Sequence, residues 1–199
     1  MKRFYWAMLL IGLVGCQSLP TSSEWIARGD GYFKDGKIVQ AVQAYNRAEK
    51  LNPQQAEVYA SRGTAYFFNG DYALAQQDFA KVVEMNPYRA DAYTALASAL
   101  AAQGDYNHAL RVINRSVGLD PNKAETFFTR GGINFMLGKY DQAVYDYSTV
   151  LALRPAADVY NARAAAYLKL GKTKEAEADF EMAKSGQVPQ KLNDYTMID

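Results

Sequence analysis

The apolar and polar positions along the chain follow the period of an α-helix, and the pattern returns every 34 residues. Segments 30–53, 64–87 and 98–121 align as DGYFKDGKIVQAVQAYNRAEKLNP, TAYFFNGDYALAQQDFAKVVEMNP and SALAAQGDYNHALRVINRSVGLDP. The same spacing separates Gly36, Gly70, Gly104 and Gly138, and also Pro53, Pro87, Pro121 and Pro155. Each block has two helical patterns around a turn, which predicts a helix hairpin.

A fifth block follows with Gly171, which lies one residue short of the 34-residue register. The blocks resemble the tetratricopeptide repeat family. The resemblance in the first block rests on Trp25, Gly29, Tyr32, Ala41, Tyr45, Ala48 and Pro53. It implies an all-α, right-handed superhelical solenoid of five helix hairpins. The hairpins are predicted at 22–55, 56–89, 90–123, 124–156 and 157–187, and residues 188–199 form either a capping helix or a mobile tail.

Charged residues at two fixed positions predict contacts inside the hairpins. The seventh residue of a block is arginine in four of the five blocks, and three of these blocks carry aspartate on the second helix. The predicted pairs are Arg62 with Asp78, Arg130 with Asp146, and Arg163 with Asp179. In the third block Leu96 and Val112 replace both members, which favours structural pairs over a ligand-binding row of arginines. Arg28 faces Ala44, so the first block lacks such a pair.

The family resemblance also implies a binding surface. In such arrays the first helices line a concave groove that receives a protein or peptide partner. The groove residues predicted from this register are Ile26, Phe33, Phe67, Phe68, Thr94, Ser98, Phe128, Phe135, Met136 and Leu168. The groove is therefore expected to be apolar and aromatic, with small residues in its middle. The alternative is that Phe33, Phe67 and Phe135 mainly pack between neighbouring repeats.

The first residues have the pattern of an export signal. Lys2 and Arg3 precede an uncharged apolar run that is too short to span a membrane as a helix. The run ends in Leu13-Val14-Gly15-Cys16, which resembles the lipobox of bacterial lipoproteins. The resemblance implies a signal peptide at 1–15, an acylated Cys16 and a short tether at 16–21. An ordinary signal peptide or a buried strand is the alternative.

Gln17, the residue after the cysteine, bears on location. By resemblance to Gram-negative lipoproteins, glutamine here favours the outer membrane, with the array facing the periplasm.

Lys and Arg number 22 against 21 Asp and Glu, and they are scattered among the acids, which argues against nucleic-acid binding.

Residues suited to catalysis are scarce. His108 is the only histidine and Cys16 the only cysteine, and no motif for a nucleophile, a phosphate loop or a metal is present. The sequence therefore predicts no enzyme activity, no cofactor and no bound metal. We expect a membrane-tethered scaffold for another protein, of the kind represented by pilotins and pilus-assembly lipoproteins. An adaptor for murein hydrolases or envelope proteases is the alternative, and a hydrolytic enzyme is a minor one.

Overall fold

A computed structural model of the chain describes residues 19–185 and is entirely helical in that part. The all-α prediction is confirmed. The helices of the described part are α1 Ser22–Lys34, α2 Ile38–Leu51, α3 Ala56–Asn69, α4 Tyr72–Met85, α5 Ala90–Ala102, α6 Tyr106–Leu119, α7 Ala124–Met136, α8 Tyr140–Leu153, α9 Ala157–Lys169 and α10 Thr173–Ser185. The predicted signal peptide 1–15, Cys16 and the tail 188–199 lie outside the described residues.

Consecutive helices pack as five antiparallel hairpins, α1 with α2 through α9 with α10. Each second helix then packs on the first helix of the next hairpin, and contacts between non-adjacent hairpins are nearly absent from residues 19–185. This nearest-neighbour arrangement is a solenoid, whose core is shared only between adjacent repeats. Within the same residues, no helix combines the length and the apolar character needed to cross a bilayer.

Glycine and proline set the helix ends. Gly70 follows α3 with a φ of 85°, a left-handed conformation that stops the helix at little steric cost. The second helices of the first four repeats end two residues before a proline, as in α4, which ends at Met85 ahead of Pro87. Asn86 between them has an extended φ of −140°, because a following proline disfavours helical geometry. The recurrence of these two signals explains the regular helix lengths.

Glycine also allows the two helices of a hairpin to approach each other. A Cβ placed on Gly63 would lie 2.9 Å from the ring of Phe79 and 3.1 Å from the Cβ of Asp78. Ala75, on the facing helix, is completely buried. The small residues at these positions are therefore required by close packing.

Candidate functional site

The three predicted ion pairs are present. Arg62 donates from Nε and Nη2 to the two carboxylate oxygens of Asp78, both at 2.8 Å. Arg163 meets Asp179 in the same way, at 2.8 and 2.7 Å. Arg130 donates from Nε and Nη2 to Oδ1 of Asp146 at 3.0 and 2.6 Å. The paired hydrogen bonds fit the planar guanidinium and fix the second helix of each hairpin against the first.

Each of these arginines also reaches the preceding repeat, which the sequence analysis missed. Arg62 donates from Nη1 to Asn46 at 2.6 Å, Arg130 to Asn114 at 3.1 Å and Arg163 to Ser148 at 2.9 Å. We call each such set of three residues an arginine clamp. The sequence contains a regular spacing that could have predicted these contacts. Asn46 and Asn114 lie sixteen residues before their arginines, and Ser148 lies fifteen residues before Arg163. An arginine clamp joins three helices from two repeats.

The electrostatics of the second repeat fit a structural role. The hydrogen bonds that Arg62 donates to Asp78, and also to Glu49, hold the pKa of its guanidinium above the usual range. Burial raises the pKa of the Asp78 carboxyl, and the Arg62 hydrogen bonds oppose that shift. The Arg62 and Asp78 side chains are only 11% and 8% exposed. The guanidinium is therefore committed to protein groups, as expected for a structural pair.

The third repeat replaces the clamp with apolar contacts. Leu96 and Val112 each pack against the core cluster of that repeat, which includes Ile113 and Leu100. The position of the third clamp member, Asn46 in the first repeat, is occupied by Ala80 in the second. The junction between the second and third repeats is thus apolar at all three positions.

Thr94 does not line the groove, so this prediction is wrong. Its side chain is 3% exposed and lies in a cluster of hydroxyl groups between the third and fourth repeats. The Thr94 hydroxyl lies 2.8 Å from that of Ser116 and 3.0 Å from that of Thr126. Ser116 also donates to the backbone oxygen of Ala90 at 2.7 Å. Buried hydroxyl groups need partners, and here they supply one another.

Ile26 is also buried rather than exposed in the groove, which corrects a second prediction. It is 7% exposed and packs in the N-terminal core with Tyr45 and Val58. The fifth position differs from repeat to repeat, since Phe128 is 38% exposed and Asn161 is exposed, so the register alone does not fix its burial.

The remaining apolar residues of the predicted groove fall into two groups on the first helices. The N-terminal group is Phe33, Phe67 and Phe68, and Phe68 is 72% exposed. Its ring centroid lies 5.7 Å from that of Phe33 and 6.0 Å from that of Phe67, with edge-on geometry. Phe33 and Phe67 are half-buried against the cores of the first and second repeats. We call these three residues the N-terminal aromatic cluster.

The C-terminal group is Phe128, Phe135, Met136 and Leu168. Phe128 is 38% exposed, Met136 57% and Leu168 50%, whereas Phe135 is half-buried and lies 5.4 Å from Tyr140 between ring centroids. Between the two groups stands Ser98, whose hydroxyl donates to the Thr94 backbone oxygen at 3.0 Å. Small side chains in the third repeat therefore separate two apolar surfaces.

A cleft of about 360 Å³ adjoins the N-terminal aromatic cluster. Phe33 and Lys34 line it from α1, Ala60 and Thr64 from α3, and Asp30 contributes a carboxylate. The Tyr45 hydroxyl donates to Asp30 at 2.8 Å, which fixes that carboxylate at the cleft wall. The cleft thus combines an aromatic edge with an oriented acceptor.

Arg28 and His108, set apart in the sequence, have ordinary partners. Arg28 stacks on Trp25 with its guanidinium carbon 4.6 Å from the ring centroid, and Arg47 lies 4.5 Å from the same centroid. The backbone N–H of His108 donates to the side chain of Asp105 at 3.2 Å, which caps the start of α6. Residues 19–185 contain no group of three His, Cys, Asp or Glu side chains placed to hold a metal ion.

Comparisons with known proteins identify the repeat. A model described as TPR repeat matches residues 29–70, and one described as tetratricopeptide repeat matches residues 60–124 and 136–191. No curated protein matches the chain.

Several solved structures are similar in fold. A crystal structure of MamA is 25% identical with a TM-score of 0.72, and the match covers 79% of this chain and 92% of that one. A thermophilic TPR protein of Thermus thermophilus is 23% identical with a TM-score of 0.69, covering 85% and 93%. YrrB, described as a TPR protein with an unusual peptide-binding site, is 21% identical with a TM-score of 0.68, covering 85% and 88%.

Proposed function

The chain belongs to the tetratricopeptide repeat family, whose members are generally protein-interaction scaffolds, and we propose that it is a membrane-anchored scaffold that binds a protein segment in its groove. One observation carries the binding proposal. Phe68 is 72% exposed although it is a large apolar residue, and it stands edge-on to two further phenylalanines on the groove helices. Clustered exposed aromatic rings are typical of a partner site, because water solvates them poorly.

The chemistry of the surface defines the class of partner. The N-terminal aromatic cluster would receive an apolar anchor side chain, and the oriented Asp30 carboxylate in the adjoining cleft would accept a hydrogen bond or meet a positive charge. An extended segment or an amphipathic helix can present both groups. YrrB, which shares the fold, is described as having a peptide-binding site.

The membrane part of the proposal rests on the sequence Leu13-Val14-Gly15-Cys16. Acylation of Cys16 with several chains gives a stable anchor, because each buried CH₂ contributes about 0.8 kcal/mol. Residues 17 to 21 span at most roughly 17 Å when fully extended. The partner would therefore meet this scaffold near the bilayer, as a component of a pilus or secretion assembly does when a pilotin-type lipoprotein delivers it to the outer membrane.

The groove is tested by photocrosslinking in cells. A benzoylphenylalanine in place of Phe68 is expected to capture the partner, which mass spectrometry then identifies. Val39 is the matched control, because it is 68% exposed but lies on α2, a second helix. Capture from Val39 alone, or from neither position, would mean that the groove is not the binding surface.

The identity of the captured protein separates the possible pathways. A secretin or pilus component supports an assembly role, and loss of secretin multimers on deletion of this chain would agree with it. A murein hydrolase or protease would instead indicate the adaptor role.

The anchor has a separate test. Replacing Cys16 by serine is expected to move the protein from the membrane fraction to the soluble fraction and to abolish labelling with a fatty-acid analogue. Retention in the membrane with Cys16→Ser would contradict lipid attachment, whatever the groove binds.

A further inference from the structure

The first helix of the array has an exposed side that is covered in the later repeats. There, each first helix packs against the second helix of the repeat before it. The arginine at the seventh position takes part in that contact, as Arg62 does when it donates to Asn46. Arg28 holds the same position in the first repeat, and the part of the chain that the structure describes has no hairpin before α1. By register, the side of α1 that carries Arg28 is the N-terminal end of the solenoid.

Two guanidinium groups lie against Trp25 at this end. The guanidinium carbon of Arg28 is 4.6 Å from the ring centroid of Trp25, and that of Arg47, on α2, is 4.5 Å from it. The indole ring is half-buried and packs on the core of the first repeat, whereas both arginines are exposed. Attraction between the cations and the ring holds the two arginines together at the surface. We call these three residues the tryptophan–arginine patch.

The positive charges of the patch are not compensated by the fold. Within residues 19–185, the side chains of Arg28 and Arg47 form neither a hydrogen bond nor an ion pair. The carboxylates nearest to them in sequence already have partners, namely Glu24 with the backbone N–H of Thr21, Asp30 with the Tyr45 hydroxyl, and Glu49 with Arg62. Both guanidinium groups are therefore able to donate to an anion outside the chain.

The later repeats show what is particular to the first. Arg130 lies 5.2 Å from the ring centroid of Phe127, three residues before it, just as Arg28 lies over Trp25. Arg130 also donates to Asp146 on the second helix of its hairpin, which compensates its charge. The first repeat keeps the stacking contact but has Ala44 at the aspartate position, and it adds Arg47 to the same ring.

We propose that the tryptophan–arginine patch contacts the phosphate headgroups of the bilayer that anchors the chain, so that the membrane surface covers the end of the solenoid. The inference rests on the proposed lipid anchor at Cys16. Residues 17 to 21 span at most roughly 17 Å, and Trp25 lies only about 5 Å further along the axis of α1, so the patch stays within reach of the headgroups. Guanidinium groups pair well with phosphate oxygens, and tryptophan is favoured at the membrane–water interface.

The contact defines an orientation for the array. With its N-terminal end on the bilayer, the solenoid projects away from the membrane, and the later repeats lie progressively further from the headgroups. The exposed arginines of the third repeat, Arg111 and Arg115 on α6, should then have no contact with lipid.

The fluorescence of Trp25 tests the contact. The chain has two tryptophans, so Trp6→Phe leaves Trp25 as the single indole, whether or not the signal peptide has been removed. The full chain with this change is purified from membranes and reconstituted into vesicles of phosphatidylethanolamine and phosphatidylglycerol, and flotation measures its attachment. A lipid with a nitroxide on its headgroup is expected to quench Trp25 more strongly than a lipid with a nitroxide near the end of its acyl chain.

Two matched charge reversals locate the contact. Arg28→Glu with Arg47→Glu is expected to remove most of the headgroup quenching, because each arginine near an anionic surface contributes roughly fivefold in affinity. Arg111→Glu with Arg115→Glu changes the net charge equally in the third repeat and is expected to leave the quenching unchanged. If the first variant loses helical circular dichroism, Arg28→Gln with Arg47→Gln removes the charges more gently, and the comparison of the two nitroxide positions needs no variant.

Each outcome supports or overturns the proposal. Headgroup quenching that the patch variant loses and the control variant keeps supports it. Flotation without quenching, or quenching that is strongest from the chain end, would overturn the headgroup contact and leave the anchor in place. Quenching that persists in a folded patch variant, or falls equally in both variants, would overturn the role of the two arginines. A protein that does not float would refute the anchor itself, and the contact with it.

Discussion

The third and fourth repeats form the same hairpin with opposite chemistry between their helices. The fourth uses Arg130, Asp146 and Asn114 from the preceding repeat, whereas the third has Leu96 and Val112 in its core and Ala80 at the position equivalent to Asn114. In both repeats the two helices pack as a hairpin, and each hairpin contacts the hairpins before and after it in the chain. The comparison teaches that the hairpin needs its internal space filled and its buried groups paired, but it does not need charge. Buried ion pairs and apolar contacts of similar volume are often close in net free energy.

A second difference accompanies the first. Gly131 in the fourth repeat faces Tyr147, and a Cβ on Gly131 would lie 2.7 Å from that ring. The third repeat has Ala97 and Ile113 at the same positions, and both are completely buried. The smaller residue on the first helix of the fourth repeat thus faces the larger residue on its second helix.

The largest expected effect comes from removing half of an ion pair. Asp146→Ala removes the carboxylate that Arg130 and Asn134 share as an acceptor, and we expect the free energy of unfolding to fall by about 3 to 5 kcal/mol. Replacing the pair by the third-repeat residues, Arg130→Leu with Asp146→Val, is expected to recover most of that loss. Urea denaturation of the three proteins measures both steps.

The double variant decides whether the two chemistries are equivalent. If it is no more stable than Asp146→Ala alone, the apolar solution of the third repeat does not transfer to the fourth.

A smaller effect is expected at the glycine that faces the aromatic ring. Gly131→Ala should lower the free energy of unfolding by about 1 to 3 kcal/mol, because the new methyl group overpacks against Tyr147. Adding Tyr147→Ile, the third-repeat solution, should relieve the overpacking. Thermal unfolding followed by circular dichroism measures both.

The adjacent glycine is the control. At Gly132 the nearest atom to an added Cβ is the Tyr147 hydroxyl at 3.9 Å, so Gly132→Ala should be neutral or stabilising by up to about 1 kcal/mol. Equal losses at Gly131 and Gly132 would show that helix geometry, and not the ring, requires glycine.

The smallest effect appears at alkaline pH. Burial raises the pKa of Tyr147 from 10.0 to about 12, whereas Ile113 has nothing to titrate. Because the folded pKa is the higher one, the stability contributed by the neutral phenol is complete below pH 10 and is lost as the pH rises towards 12. Tyr147→Phe should make this decrease smaller, and an unchanged pH profile would exclude Tyr147 as a contributor. Urea midpoints measured across that interval provide the test.

The sequence predicted the features that depend on local spacing. The hairpins follow from apolar periodicity and from glycine and proline, and the three ion pairs follow from charges that change together between repeats. The partners from the preceding repeat, Asn46, Asn114 and Ser148, were missed because asparagine and serine are common on exposed helix faces and carry no charge signal.

The errors in the groove have a different origin. The register placed Ile26 and Thr94 correctly on the first helices, but both are buried whereas Phe128, at the same position of its repeat, is exposed. Asn134 shows the same limit, since its hydrogen bond to Asp146 on the second helix has no signal in the spacing of the chain. Burial at a repeat interface is a property of two repeats and cannot be assigned to one residue at a time.

The arginine clamps also make the order of the repeats matter. Because each clamp takes one member from the repeat before it, the repeats are not interchangeable modules. Deletion of the fourth repeat would place Asn114 next to Arg163, in the position of Ser148. Arg163 would then still have a hydrogen-bond acceptor from the preceding repeat. Removal of the third would bring Ala80 to Arg130 and leave the arginine one acceptor short. A duplication or loss of a repeat therefore preserves the clamps only where the residues at the new junction between repeats match in polarity. Fewer orders of the repeats meet this condition than the shared 34-residue length suggests.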